Sequence, residues 1–272
     1  MATTPPIAVL SIAGSDSGGG AGIQADLKTF EAHRVFGTTV ITALTAQNSL
    51  GVQAAFPIPP EMVRAQLRSI LDDFPIAAAK TGMLYNAETI QEVTDVVIEA
   101  GFPLVVDPVI VSTSGDALLQ PEALDALVFM LMPIARLVTP NMQEAGILTG
   151  MEVRTREDME VAALKIATRC PDTYVLVKGG HLDGAASDLL FKLDQAPLWM
   201  DAPRIDTRDT HGTGCTLSAA ITANLALGHS VPEAVSLAKE YVHGAIRHAW
   251  SGIGHGHGSL RHHHLSLQLA HE

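Results

Sequence analysis

The stretch "DTHGTGCTLSAA" (209–220) sets a small, reactive side chain directly behind a Gly-Thr-Gly turn. Gly212 and Gly214 let the chain turn tightly, so successive N–H groups can point at one spot. The run that follows predicts a helix, whose positive end adds to them. With Thr213 between the two glycines, such a nest suits the charge that builds on a phosphoryl group in transfer, where catalysis is mostly positioning and electrostatics. A free thiol titrates near ~8.5, and a helix N-terminus lowers that by one to several units. Cys215 is therefore expected to be acidic enough to take a proton from an attacking hydroxyl, or simply to line the pocket. The competing reading is a small cysteine packed against the helix.

Other polar or glycine-rich clusters follow short apolar runs: "AGSDSGGGAG" (13–22), "TAQNS" (45–49), "KTGM" (80–83), "DPV" (107–109), "TPNMQE" (139–144) and "KGG" (178–180). Gly20, Gly22 and Ala25 loosely match a dinucleotide fingerprint, but no Asp or Glu lies between Glu31 and Glu61 to anchor a ribose. A Walker A loop fails as well, because no Gly-Lys-Ser/Thr follows. What remains is a loop rich in backbone N–H groups, with Asp26 just beyond it. Asn141 and Glu144, three apart at a helix start, suit the waters around Mg²⁺ or an ordinary N-cap. Lys178 is placed to reach a nucleotide phosphate. "HGHGSLRHHH" (255–264) lacks the carboxylate spacing of a metalloenzyme and reads as a mobile or surface segment. No G-x-S-x-G elbow is present, and a thiol-nucleophile reading survives only in Cys215 with His211.

These clusters need elements to carry them. Segments 7–12, 38–44, 104–109, 136–139 and 173–178 read as strands buried on both faces. Between them run amphipathic patterns. At 233–250, Ala234, Leu237, Ala238, Tyr241, Ala245 and Ala249 share a face behind a Ser230–Glu233 capping box. Another helix opens at Thr155 with Asp158 three residues on. The alternation predicts an α/β fold, a mostly parallel sheet covered by helices on both sides, with ligands gathering beyond the carboxyl ends of the strands. No repeat or long linker is visible, so residues 1–272 are expected to form one domain, with 255–272 as a His-rich tail.

Composition narrows the partners. The chain has 272 residues, is 47% hydrophobic and 4% aromatic, and carries a formal net charge of -12. That balance argues against nucleic acid and leaves room for a small anion held by local backbone dipoles. No secretory leader or membrane-spanning run is legible, and Cys170 and Cys215 lie far apart with no CxxC. The expectation is a cytoplasmic protein without membrane contact.

Taken together, "AGSDSGGGAGIQADLKTF", "ITALTAQNSLGV", "KTGML", "VVDPV", "TPNMQEA", "VKGGH" and "DTHGTGCTLSAA" resemble the ribokinase-like small-molecule kinases. Within them the resemblance is strongest to the hydroxymethylpyrimidine/phosphomethylpyrimidine kinases of thiamine biosynthesis. It implies a ribokinase-like three-layer α/β/α sandwich, ATP and Mg²⁺ as cofactors, a small pyrimidine substrate and a homodimer. It also implies residue roles. Gly14, Asp26, Gln47, Met83 and Val109 would form the pyrimidine pocket, with Gln47 on the ring edge. Asp107 and Glu144 would sit around Mg²⁺; Thr139, Asn141 and Lys178 would serve the nucleotide. Gly212, Thr213 and Gly214 would form the anion hole. Most relatives place an aspartate base where this chain has Cys215, as in the pyrimidine-kinase branch and a group of pyridoxal kinases. Thr113 stands where many relatives have lysine, leaving Ser112, Thr113 and the backbone to serve the phosphates.

Three functions are expected to compete: phosphorylation of 4-amino-5-hydroxymethyl-2-methylpyrimidine and then of its monophosphate; the same chemistry on pyridoxal or pyridoxine; and a regulatory binder without transfer.

Overall fold

The computed structural model describes residues 5–112, 115–180, 182 and 184–269; Thr113 lies outside them. Along these residues run strands β1 (Ala8–Ala13), β2 (Phe36–Ile41), β3 (Ala43–Asn48), β4 (Gly51–Pro57), β5 (Ile76–Thr81), β6 (Leu104–Val106), β7 (Leu137–Val138), β8 (Tyr174–Val177), β9 (Ala186–Phe191) and β10 (Leu198–Ala202). The helices are α1 (Gly22–Ala32), α2 (Pro60–Leu71), α3 (Ala87–Ala100), α4 (Leu124–Ala126, within an irregular helical run from Pro121 to Ile134), α5 (Met142–Thr149), α6 (Arg156–Arg169), α7 (Thr213–Ala226), α8 (Val231–Arg247) and α9 (His264–Leu269).

Eight strands form one sheet in the order β10-β9-β8-β7-β6-β5-β1-β2, parallel except at the β8–β9 and β9–β10 pairs. Side-chain alternation builds the two flanking layers. Leu10 and Ile12 of β1, with Val106 and Val138, pack against Val63, Leu67, Ile90, Val93 and Ile166 of α2, α3 and α6. On the other face Val9 meets Phe30, Ala219 and Ala223, while Val105, Leu137 and Leu176 meet Leu217, Ile221, Ala234 and Ala238. Burying each large apolar side chain contributes about 1.5–3 kcal/mol. The alanines of α7 and α8 let those helices lie close to the sheet and to each other.

Several elements differ from expectation. The run at 38–44 splits at Thr42, whose N–H bonds Ala13 O and whose Oγ1 donates to Met83 O at 2.5 Å. β3 then leaves the sheet and pairs with β4 as a separate antiparallel ribbon. The 104–109 strand stops at Val106, ahead of Pro108, which has no N–H to donate. On α8 the buried face is Val231, Ala234, Val235, Ala238, Tyr241, Val242 and Ala245; Leu237 faces solvent, and Ala249 lies beyond the helix end. Both capping boxes form: Asp158 accepts from the Thr155 N–H, and Glu233 from the Ser230 N–H.

The histidine-rich segment is split between surface and interior: His255, His257 and His263 are exposed, as expected of a surface segment, while His262 and His264 are buried. His262 is 4% and His264 3% exposed. Tyr241 Oη donates to His262 O at 2.7 Å, and His262 Nε2 lies 3.1 Å from Thr216 Oγ1 in the first turn of α7. His264 sits between the rings of Tyr241 and His248. A neutral imidazole has apolar faces and few polar atoms to satisfy, so it buries readily once charge is excluded. Residues 270–272 of this tail lie outside the described residues.

That burial has a pH consequence. Loss of solvent, reinforced by Lys28 and the neighbouring histidines, pushes His262 down to about 4 and lowers His264. Unfolded, both titrate near ~6.5. Below that pH the unfolded chain binds protons the folded chain refuses. Stability present at pH 7 is therefore lost as pH falls from 6.5 towards 4, by about 3 kcal/mol for His262. Melting temperature should drop steeply between pH 7 and 5, and His262→Gln should flatten the slope. An equally steep slope in that variant would contradict the assignment.

Candidate active site

Sheet topology reverses between β5 and β1, and beyond the carboxyl ends of the strands there a cleft of about 410 Å³ opens. Gln47, Asp107, Val109, Asn141, Glu144, Lys178 and the whole of 212–215 line it. Gly212 is the N-cap of α7, at φ 82, and a Cβ there would stand 1.9 Å from Gly20 O. Only glycine can turn the chain that close to the neighbouring loop. Thr213 N–H bonds Thr210 O, but the N–H groups of Gly214 and Cys215 have no acceptor among the described residues, and no side chain caps the helix. Two bare donors at the positive end of a helix thus face the cleft.

Opposite them stands a charge cluster. Lys178 Nζ lies 2.9 Å from Asp107 Oδ1 and 4.0 Å from Glu144 Oε2. Thr139 Oγ1 donates to Asp107 Oδ1 at 3.1 Å and Ser218 Oγ to Oδ2 at 3.3 Å. Burial alone would raise Asp107, but the Lys178 and Lys80 ammoniums bring it below the usual carboxylate range. Glu144 goes the other way: burial, with the Asp107 charge adding, pushes it up to about 7 against the pull of Lys178. Its Oε2 also accepts from Asn141 N–H, while Asn141 Oδ1 accepts from Glu144 N–H, so the pair is a capping box that starts α5. A Cβ on Gly214 would lie 3.4 Å from Lys178 Nζ and 3.7 Å from Asp107 Oδ2, so the helix start and the charge cluster share one small space.

The expected acidity of Cys215 is reversed. Burial dominates, Asp26 and Asp107 add to it, and the thiol is pushed up to about 11 despite Lys80 and a hydrogen bond from Gly22 N–H. The positive end of α7 does not offset the loss of water, and Cys215 is a neutral thiol near pH 7.

The glycine loop is rich in backbone N–H groups, as expected, and turns several of them inward. Asp16 fills its own nest: Oδ1 accepts from Gly18 N–H at 2.7 Å, and Oδ2 from Gly20 and Ala21 N–H at 3.0 and 2.8 Å. His211 Nε2 completes the shell at 2.9 Å. Burial would raise Asp16, but His211 and these amides bring it below its ordinary value. The loop is a clamp that holds His211, and with it the turn at Gly212.

The residues expected around a pyrimidine divide into two groups. Gln47 and Val109 line the cleft. Gly14, Met83 and Asp26 pack behind its lining; a Cβ on Gly14 would meet Met83 Sδ at 3.0 Å. Asp26 is fully buried, accepting from Ser11 Oγ at 2.6 Å and pairing with Lys80 at 3.0 Å. Burial works against the Lys80 charge, but Asp26 and the other nearby anions hold its pKa above the ordinary lysine value. Asp16, Lys80, Ser218 and Arg204 carry much of this geometry and were missed. Arg204 gathers Gly180, Leu182 and Gly184 by donating to their carbonyls. For Lys80 there was a legible signal, a lysine ending an alanine-rich strand; for Asp16, an acidic residue opening a run of glycines. Ser218 and Arg204 had none.

Comparison with known proteins adds a name to this geometry. Residues 16–261 match the family model described as phosphomethylpyrimidine kinase. A hydroxymethylpyrimidine/phosphomethylpyrimidine kinase of Streptomyces coelicolor is 51% identical over 259 residues, covering 95% of each chain. An ADP complex of Bacillus subtilis pyridoxal kinase superposes with TM-score 0.89 at 40% identity, covering 97% of this chain and 100% of that one. A phosphomethylpyrimidine kinase from Clostridium difficile gives TM-score 0.77 at 43% identity, covering 88% and 99%.

Proposed function

The chain belongs to the phosphomethylpyrimidine kinase family, and from that premise we propose that one domain spanning the chain transfers the γ-phosphoryl of ATP to 4-amino-5-hydroxymethyl-2-methylpyrimidine and then to its monophosphate, in thiamine biosynthesis. The observation that carries this reading is the pair of unpartnered N–H groups at Gly214 and Cys215, facing Lys178 and Asp107 in the cleft that also holds Gln47.

In this reading the triphosphate lies along the first turn of α7, with its base against Pro203, Ile205, Leu217, Val242 and Ile246 on the apolar wall. The pyrimidine lies towards Gln47 and Val109, its hydroxymethyl oxygen in line with the γ-phosphorus. Negative charge grows on the equatorial oxygens of the phosphoryl group, and the Gly214 and Cys215 amides, with Lys178, are already aimed where it grows. A loose transition state lets the alcohol proton leave late, onto an oxygen of the transferred phosphoryl group, so the neutral Cys215 thiol lines the pocket and no resting thiolate base is needed. Asp107 and Glu144 are both engaged by protein donors, and no group of three or more metal-binding side chains occurs among the described residues. Carboxylates already engaged in this way fit a hydrated ion, so Asp107 and Glu144 would hold Mg²⁺ through its waters, and the ion would supply neutralisation of phosphate charge.

A substrate panel with ATP, resolved by product mass, tests the reading. Mono- and diphosphate of the aminopyrimidine are expected; a clear preference for pyridoxal, which the likeness to the Bacillus subtilis enzyme makes the second reading, would overturn it. A panel without ATP consumption would return the chain to a binding role. The β3–β4 ribbon exposes Leu44 at 46% and Phe56 at 64%. We assign that apolar face to a homodimer contact, so light scattering should give twice the chain mass, and Phe56→Glu should halve it; a wild-type monomer would contradict the assignment. Among the described residues no helix is long and apolar enough to cross a membrane, and two free cysteines suit the cytoplasm.

A further inference from the structure

Gln47 is held in place at both its main chain and its side chain. Ser17 Oγ lies 2.7 Å from Gln47 O and 2.8 Å from Gln47 N, pinning the backbone at the end of β3. A register shift in the β3–β4 pairing between Ala46 and Gln47 sets its direction. The side-chain amide reaches Thr45 Oγ1 at 3.1 Å, and Thr45 Oγ1 lies 2.7 Å from Ser15 O. Thr45 is 8% exposed, so its hydroxyl has little access to water.

A hydroxyl carries one proton. Ser15 O is a carbonyl and can only accept, so at 2.7 Å the Thr45 proton belongs to it. The opposite choice would leave two bare oxygens at that distance. With its proton spent, Thr45 can only accept from Gln47, and the amide atom beside it at 3.1 Å must be Nε2, the reverse of placing Oε1 there. Oε1 then takes the other amide position, on a side chain that lines the cleft, and one Nε2 hydrogen is left over. The exposed edge reads acceptor then donor, the pattern by which glutamine pairs in bidentate fashion with an amino group and an adjacent ring nitrogen.

From this proton count we infer that Thr45 is a specificity-determining positioning residue, which fixes the Gln47 amide so that the site selects a heteroaromatic edge bearing an exocyclic amine next to an acceptor nitrogen. The inference rests on the pyrimidine-kinase reading above. A 4-oxo ring presents the reverse pattern, a carbonyl beside a ring N–H, and opposes Gln47 at both positions. Leaving such buried polar groups unpaired is what lets a hydrogen-bonding site reject near-isosteres. An amide free to rotate would lose that power, because it could turn to suit either ring.

The test compares kcat/KM for 4-amino-5-hydroxymethyl-2-methylpyrimidine and its 4-oxo counterpart in the wild type, Thr45→Val and Thr45→Ser. The amino-to-oxo ratio is expected to fall at least about tenfold in Thr45→Val, through both a loss on the amine and a gain on the oxo compound. Thr45→Ser, which keeps the hydroxyl, should restore the ratio to within about threefold. KM for ATP should stay unchanged throughout. Thr45→Ala replaces the valine variant if that one fails to fold. A ratio unchanged by loss of the hydroxyl, or a serine variant that behaves like valine, overturns the role of Thr45 alone. A wild type that turns over neither pyrimidine overturns the underlying reading of function and this inference with it.

Discussion

Gly214→Ala is expected to give a protein at least as stable as the wild type that turns over about 10²- to 10³-fold more slowly. The residue lies in the first turn of α7 without a positive φ, so alanine adopts its backbone without strain. Relieving glycine of its unfolded-state freedom is worth about 0.4–1 kcal/mol, or roughly 1–4 °C in a chain of this size. The methyl, however, projects towards Lys178 and Asp107 at 3.4 and 3.7 Å. It fills the space a phosphoryl group needs in order to reach the Gly214 and Cys215 amides. Steady-state kcat and a melting curve check both halves of the claim. Wild-type turnover with a raised melting temperature would mean that the cleft accepts its phosphates elsewhere.

Lys178→Met should be as damaging for a different reason. The ammonium offsets Asp107 at 2.9 Å and Glu144 at 4.0 Å. Without it two buried carboxylates face each other, at a cost of about 3 kcal/mol in stability, and the phosphates lose their nearest fixed cation. A fall of about 10³-fold in kcat/KM is expected. Lys178→Met combined with Asp107→Asn separates the two effects. The double variant should recover most of the melting temperature, because the uncompensated charge is gone, while turnover stays low. If activity returned along with stability, the role of Lys178 would be structural.

The sequence made the parallel sheet and its helical layers readable wherever residues were apolar and β-branched, as in β1, β6 and β8. β5 was not assigned, since "IAAAKT" carries little strand propensity and is a strand only because both faces are covered. β4, β9 and β10 also escaped, having mixed polar patterns. At the site, spacing singled out the Gly-Thr-Gly turn, the Asn141–Glu144 pair and Lys178, because each follows a strand or opens a helix, whereas Asp107 and Gln47 lay in clusters after apolar runs and were singled out only by the family resemblance. Charge environment was not legible. Cys215 looked acidic from its place at a helix start, and its burial, a tertiary fact, reverses that. The glycine loop was legible as rich in backbone N–H groups, but not that they close on Asp16, whose other partner, His211, lies far away in sequence. Proton bookkeeping at Thr45 likewise depends on a carbonyl thirty residues away.

The central claim is that the first turn of α7 receives the migrating phosphoryl group. A crystal structure with ADP, Mg²⁺, the aminopyrimidine and aluminium fluoride as a mimic of that group tests it most directly. The account predicts fluorides about 3 Å from the Gly214 and Cys215 nitrogens, with Lys178 on the same group. A fluoride complex seated instead on the 18–22 loop, or out of reach of both amides, would contradict it.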